Sequence, residues 1–154
     1  MKKIILALAI IFTATLILNA EEAKTEKKSA KEIMADLSTD DEAKITAAAD
    51  QAGDQQLKET IPQLTNLLKN DKRIKVRLYS AIALGLIGDV SAIETLNASL
   101  LADQSADVRY TVLLAIHRID PGKSVDALKK LNETETDPYI RDYIEKMMAK
   151  IKGE

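Results

Sequence analysis

Apolar residues recur at helical spacing in short blocks, and the blocks themselves recur. In "TIPQLTNLLKN" Ile61, Leu64, Leu67 and Leu68 fall on one face. In "SAIETLNASLL" Ile93, Leu96 and Leu100 do the same, and in "SVDALKKL" Val125, Leu128 and Leu131. Such i, i+3, i+4, i+7 patterns predict amphipathic helices. Ile61, Ile93 and Val125 are each 32 residues apart, as are Leu64, Leu96 and Leu128. The blocks between keep the same stride: Val76, Val108 and Ile140 open them, Arg77, Arg109 and Arg141 follow, and Ile87, Ile119 and Ile151 close them. A period of this size predicts stacked helical hairpins, because one two-helix unit cannot cover its own apolar face. The expected fold is all-α, an α-solenoid.

Start and stop signals agree with that division. Ser29 with Glu32, Thr60 with Gln63 and Ser91 with Glu94 have capping-box spacing. Pro62 and Pro138 sit where a helix begins, and a proline costs nothing in the first turn. Gly88-Asp89 and Asp120-Pro121-Gly122 read as helix ends. Upstream, "EAKITAAADQAGD" is a degraded copy, with Lys44 near the arginine place. The stride predicts a degenerate unit at about 30–55 and repeats at about 59–88, 90–120 and 123–152, within a domain of residues 30–154.

The first twenty residues have a different pattern. "MKK" is followed by the 15-residue apolar run "IILALAIIFTATLIL" and then "LNA" before "EE". A basic start, a short apolar core and a small residue are the pattern of a secretory signal peptide, with cleavage after Ala20. The run is short for a membrane span of roughly 20 residues, so no stable membrane insertion is expected after cleavage, with a segment retained as a membrane anchor as the alternative. The expected location is periplasmic or secreted. Glu21 to Ser29 alternates charge without an apolar period and reads as a flexible lead-in.

Composition narrows the function. Hydrophobic residues make up 46% of 154 residues, aromatics 3% and cysteine none, so stability rests on packing without disulfides. Two of the 22 basic residues, Lys2 and Lys3, lie in the signal segment; the remainder leaves 20 basic against 24 acidic residues, a formal charge of −4. A net-acidic domain without a basic block argues against nucleic acid as partner. No nucleophile elbow, phosphate loop or dinucleotide fingerprint occurs. A single histidine, His117, and no cysteine give no zinc-type ligand set. The expectation is therefore a chain with no catalytic residues, no metal and no cofactor, and not an enzyme.

The segment "DKRIKVRLYSAIALGLIGDVSAIETL" resembles the HEAT-like repeat of phycobilisome lyases in Asp71, Val76, Arg77, Ala83, Leu84, Gly85, Gly88 and Asp89. The next copy keeps Asp103, Val108, Arg109, Ala115 and Ile116, with His117 and Asp120 in the glycine places; the last keeps Glu135, Ile140 and Arg141. The resemblance implies that the Val-Arg helices line a concave face and that the activity is holding other molecules.

Two residue sets stand out. Asp71 and Arg77, Asp103 and Arg109, and Glu135 and Arg141 are each six apart. This spacing puts an acid in a turn and a guanidinium at the next helix start, a structural ladder in which the arginine reaches turn carbonyls and an acid of its own or the adjacent repeat. The second set is apolar where a solvent-facing helix would be charged: Leu78, Ile82, Tyr110, Leu113 and Leu114, with His117 one turn on. These form a candidate binding strip for a protein or peptide partner. The expected function is a non-enzymatic binding or scaffold module of the bacterial envelope. An accessory factor for chromophore attachment and a self-associating envelope protein are the alternatives.

Overall fold

The computed structural model describes residues 27–153. The signal segment at 1–20 and the lead-in as far as residue 26 lie outside the described residues. Eight α-helices are present among those described: α1 Ala30–Leu37, α2 Glu42–Asp54, α3 Ile61–Asn70, α4 Ile74–Ile87, α5 Ile93–Ala102, α6 Ala106–Ile119, α7 Val125–Thr134 and α8 Pro138–Lys152. No strand is found among them. The starts of α3, α5 and α7 are 32 residues apart, and so are those of α4, α6 and α8.

The helices form two layers. The first helices of each hairpin, α1, α3, α5 and α7, line up on one side, and the second helices, α2, α4, α6 and α8, on the other. Each hairpin packs within itself and against its neighbours, which is an α-solenoid. The repeated apolar positions sit between the layers. Leu64, Leu96 and Leu128 are fully buried in successive units, and so are Val76 and Val108, with Ile140 at 2% exposure. Burial of each such side chain is worth about 1.5–3 kcal/mol, and every unit repeats it.

Caps follow the sequence at some ends and not at others. Ser29 and Glu32 make the reciprocal capping box at α1. Asp137 accepts from the Tyr139 and Ile140 amides ahead of Pro138, and Gly88 ends α4 at φ 73°, in the left-handed region. Thr60 does not cap α3. A 3-10 turn, Lys58–Thr60, leads into that helix, and the Thr60 hydroxyl donates back to the Leu57 carbonyl at 2.7 Å. Ser91 likewise lies inside a 3-10 turn, Val90–Ala92, for which Asp89 accepts from the Ser91 amide. In both cases the chain tightens before the helix, so the residue spaced for capping is already inside a turn.

The second-helix layer is held close by small residues. A Cβ on Gly53 would lie 3.1 Å from the Ala83 Cα, and one on Gly85 would lie 2.9 Å from both Cα and Cβ of Ala115. The next place in this series is His117, one stride beyond Gly85. Accordingly α6 and α8 meet less closely than α4 and α6, and the wider seam holds a bulky ring. Helix α1 packs on α2 and toward α3, away from the exposed side of α4 and α6.

Candidate functional site

The turn between the helices of each unit positions an arginine. Arg77 donates from Nε and Nη2 to both Asp103 carboxylate oxygens at 2.7 and 3.0 Å. Its Nη1 donates to the main-chain carbonyls of Asp71 and Lys72 at 2.9 and 3.2 Å. Arg109 repeats this with Glu135 at 2.7 and 2.8 Å and with the carbonyls of Asp103 and Gln104. Glu135 also accepts the Thr136 and Asp137 amides. The open choice between own and adjacent repeat is thus resolved: each arginine takes carbonyls from its own turn and a carboxylate from the next unit. The Arg109 guanidinium holds the Glu135 carboxyl below its ordinary value, against the opposing effect of burial.

Both ends of the ladder depart from the expectation. The Asp71 carboxylate is engaged by Arg73, with Nη2 to Oδ2 at 2.6 Å and Nε to Oδ1 at 2.9 Å. Arg73 also donates to the Asp40 carbonyl at 2.8 Å, tying this turn to the unit before it. The degenerate first unit has no arginine at the matching place, and Arg73 supplies the guanidinium from within the turn. Lys44, the residue nearest that place in the sequence, is exposed. Arg141 is exposed and joins no ion pair among the described residues, so the Glu135–Arg141 rung is not formed.

The apolar strip is sorted by helix rotation. Ile82, Tyr110 and Leu114 are 40%, 38% and 41% exposed, the first and last at equivalent places one stride apart. Leu78 is half-buried against the core. Leu113 does not belong to the strip: it is fully buried. Adjacent positions on a helix are about 100° apart, so a face that shows Leu114 turns Leu113 into the packing. Between α4 and α6 lies an open groove of about 180 Å³, with Ile82, Leu86 and Leu114 as walls, Gly85 and Ala115 at the contact of the two helices, and Arg118 among its lining. The same small residues that bring the helices together therefore shape the groove. A larger hollow of about 460 Å³ lies by the ladder and includes Arg77 and Asp103, but those charged groups are engaged with each other.

His117 leaves the strip as well. Its Nδ1 lies 2.6 Å from the Tyr143 hydroxyl, in the seam between α6 and α8, and Lys150 Nζ is 3.4 Å from Nε2. Tyr143 packs edge-on against Tyr110, with ring centroids 5.7 Å apart. Burial raises the Tyr143 hydroxyl above its ordinary pKa. Tyr143 and Arg73 were not anticipated as functional positions, and only the gap left by the lost glycine pointed toward the former. Among the described residues, no group of three or more His, Cys, Asp or Glu side chains converges in a way that could hold a metal ion. None of the described helices is long and apolar enough to cross a membrane.

The family model for HEAT repeats matches residues 29–116 and, in a second registration, 61–149. The chain belongs to the HEAT repeat family. It is also similar to a deoxyhypusine hydroxylase of Arabidopsis thaliana, 38% identical over 95 residues, which is 60% of this chain and 30% of that protein. The chain thus spans under a third of its relative in that comparison. The likeness overturns the expectation of a chain outside enzymology: the protein it matches over 60% of its length is named as an enzyme. What the HEAT repeats provide directly is a helical scaffold.

Proposed function

We propose that this HEAT-repeat scaffold holds a protein or peptide partner on its second-helix face. The observation that carries this reading is the pair Ile82 and Leu114, large apolar side chains about two-fifths exposed at equivalent places on neighbouring repeats, flanking one apolar groove. Solvent-facing helix positions favour charge, and contiguous apolar exposure marks interaction surfaces. Tyr110 extends the patch with a ring suited to contact. A photoreactive residue at position 114 should crosslink a discrete partner in intact cells, and Ile82→Lys should abolish that product while leaving the helical content unchanged. Crosslinking that is unaffected by Ile82→Lys would refute the reading.

The likeness to deoxyhypusine hydroxylase supports a second reading, in which the scaffold presents a protein substrate for hydroxylation. Incubating the full chain with a deoxyhypusine-containing peptide, dioxygen as oxidant and a two-electron reductant, and weighing the product, tests it; a mass gain of one oxygen atom, the second leaving as water, supports it, and unchanged mass counts against it. The basic, apolar and small-residue order of residues 1–20 supports placing the protein in the bacterial periplasm or outside the cell. Cell fractionation would overturn that placement by finding the protein, full length, in the cytosol.

A further inference from the structure

The exposed ridge of α6 carries more than apolar residues. From its first turn to its last it presents Asp107, Tyr110, Leu114 and Arg118, all exposed. Asp107 and Arg118 join no ion pair among the described residues. They are eleven positions apart, on the order of 16 Å at the helical rise, and a gap of that size exceeds the screening length of about 8 Å at physiological salt. Each charge is therefore available to a separate group on an incoming molecule.

On the α8 side the ground beside each end agrees in sign, whereas on the α4 side the exposed Lys75 stands at the place equivalent to Asp107. At the α6 start, a hollow of about 330 Å³ between α6 and α8 is lined by Asp107, Asp137, Tyr110 and Tyr139, with no basic side chain among its lining. Carboxylates beside tyrosine faces suit an ammonium or guanidinium, which gains from both the charge and the ring. At the α6 end, the apolar groove against α4 is bordered by Arg118, and Lys150 holds the equivalent place on α8. Along α6 and its α8 flank the order is acidic with aromatic, then apolar, then basic.

We propose that the occupant of this face is a peptide segment that presents a basic, an apolar and an acidic side chain, in that order from the Asp107 end to the Arg118 end. An extended strand advances about 3.3 Å per residue, so about five residues span the ridge. The basic side chain enters the hollow of Asp107, Asp137 and the two tyrosines, the apolar one rests in the groove of Ile82 and Leu114, and the acidic one meets Arg118. This inference rests on the reading of the second-helix face as a docking surface, and adds to it the chemistry of the partner.

Selection of a random linear peptide library on the full chain, followed by fluorescence anisotropy with the synthesised consensus peptide, tests it. The selected sequences are expected to share a basic and an acidic residue flanking an apolar one over about five positions. Arg118→Glu and Asp107→Lys should each weaken binding about tenfold, since an exposed attraction becomes a repulsion. A peptide with the acidic residue changed to lysine should recover most of that loss on the Arg118→Glu chain. Leu114→Lys should abolish binding. Binding lost on Leu114→Lys but indifferent to both charge reversals would overturn the charge order and leave the docking surface standing. Failure to select any peptide, or binding indifferent to all three substitutions, would overturn both. A dimer seen by light scattering, dissolved by Leu114→Lys and not by peptide, would overturn the proposal in favour of a second copy.

Discussion

Gly85→Ala is the sharpest probe of how the second-helix layer is built. In a helix open to solvent this change stabilises by about 1 kcal/mol, because alanine loses less backbone entropy than glycine. Here the added Cβ would lie 2.9 Å from both Cα and Cβ of Ala115. Carbon atoms rest at about 3.5–4.0 Å, so α4 and α6 must part by the better part of an ångström. Neither obstructing atom belongs to a flexible side chain. Overpacking of this kind costs about 1–3 kcal/mol, and the fixed neighbours put it toward the upper figure. The net expectation is a loss of about 1–2 kcal/mol, read as a lower urea midpoint in far-UV circular dichroism. Gly53→Ala serves as the comparison. The atom nearest its Cβ is Leu86 Cδ1, at 2.9 Å, the end of a side chain that can rotate, and the fixed Ala83 Cα lies farther off at 3.1 Å, so the loss there should be smaller but not absent. Ala115→Gly combined with Gly85→Ala should show favourable coupling of about 1 kcal/mol in a double-mutant cycle. A Gly85→Ala chain as stable as the parent or more so would refute the close approach of these helices, and with it the shape of the groove they border.

Three further outcomes test the ladder and the seam. Arg109→Ala leaves Glu135, with 1% side-chain exposure, buried in its turn with only the Thr136 and Asp137 amides; loss of a buried partner costs about 3 kcal/mol, less here because those amides remain and the arginine is partly exposed, and urea unfolding reads it. The Glu135 carboxyl is held below its ordinary pKa when folded, so its contribution is full above the unfolded value and fades as pH falls toward the lowered folded one. An acid titration of stability should therefore be flatter below about pH 4.5 in Glu135→Gln than in the parent. Tyr143→Phe removes the partner of His117 Nδ1 and should cost about 1 kcal/mol, while Gly at position 117 in the same background should restore none of it if the wide seam needs the ring. Equal stability of the parent and Tyr143→Phe chains would show that this hydrogen bond contributes nothing.

Much of the architecture was written in local pattern. The 32-residue stride places Leu64, Leu96 and Leu128 in one environment, and the helix ranges follow it. Periodicity of this kind survives because each repeat sees only its neighbours, so a short stretch of sequence already contains most of what determines its burial. Caps were less legible. Thr60 and Ser91 have the right spacing, but the 3-10 turns that displace them depend on how the preceding loop packs.

What the sequence determined alone was the stride, the helical class and which positions are small. Those follow from side-chain size and period, which are properties of the chain itself. What tertiary structure decided was which neighbour each group meets. Arg77 takes Asp103 from the next unit, 26 residues on, and Arg73 fills the gap at Asp71. Leu113 turns inward while Leu114, one position later, faces solvent. His117 goes to Tyr143 across a seam that exists because no glycine stands there. Each of these is a choice between groups distant in sequence, and the distance between two helices settles it, which no single helix carries in its own residues.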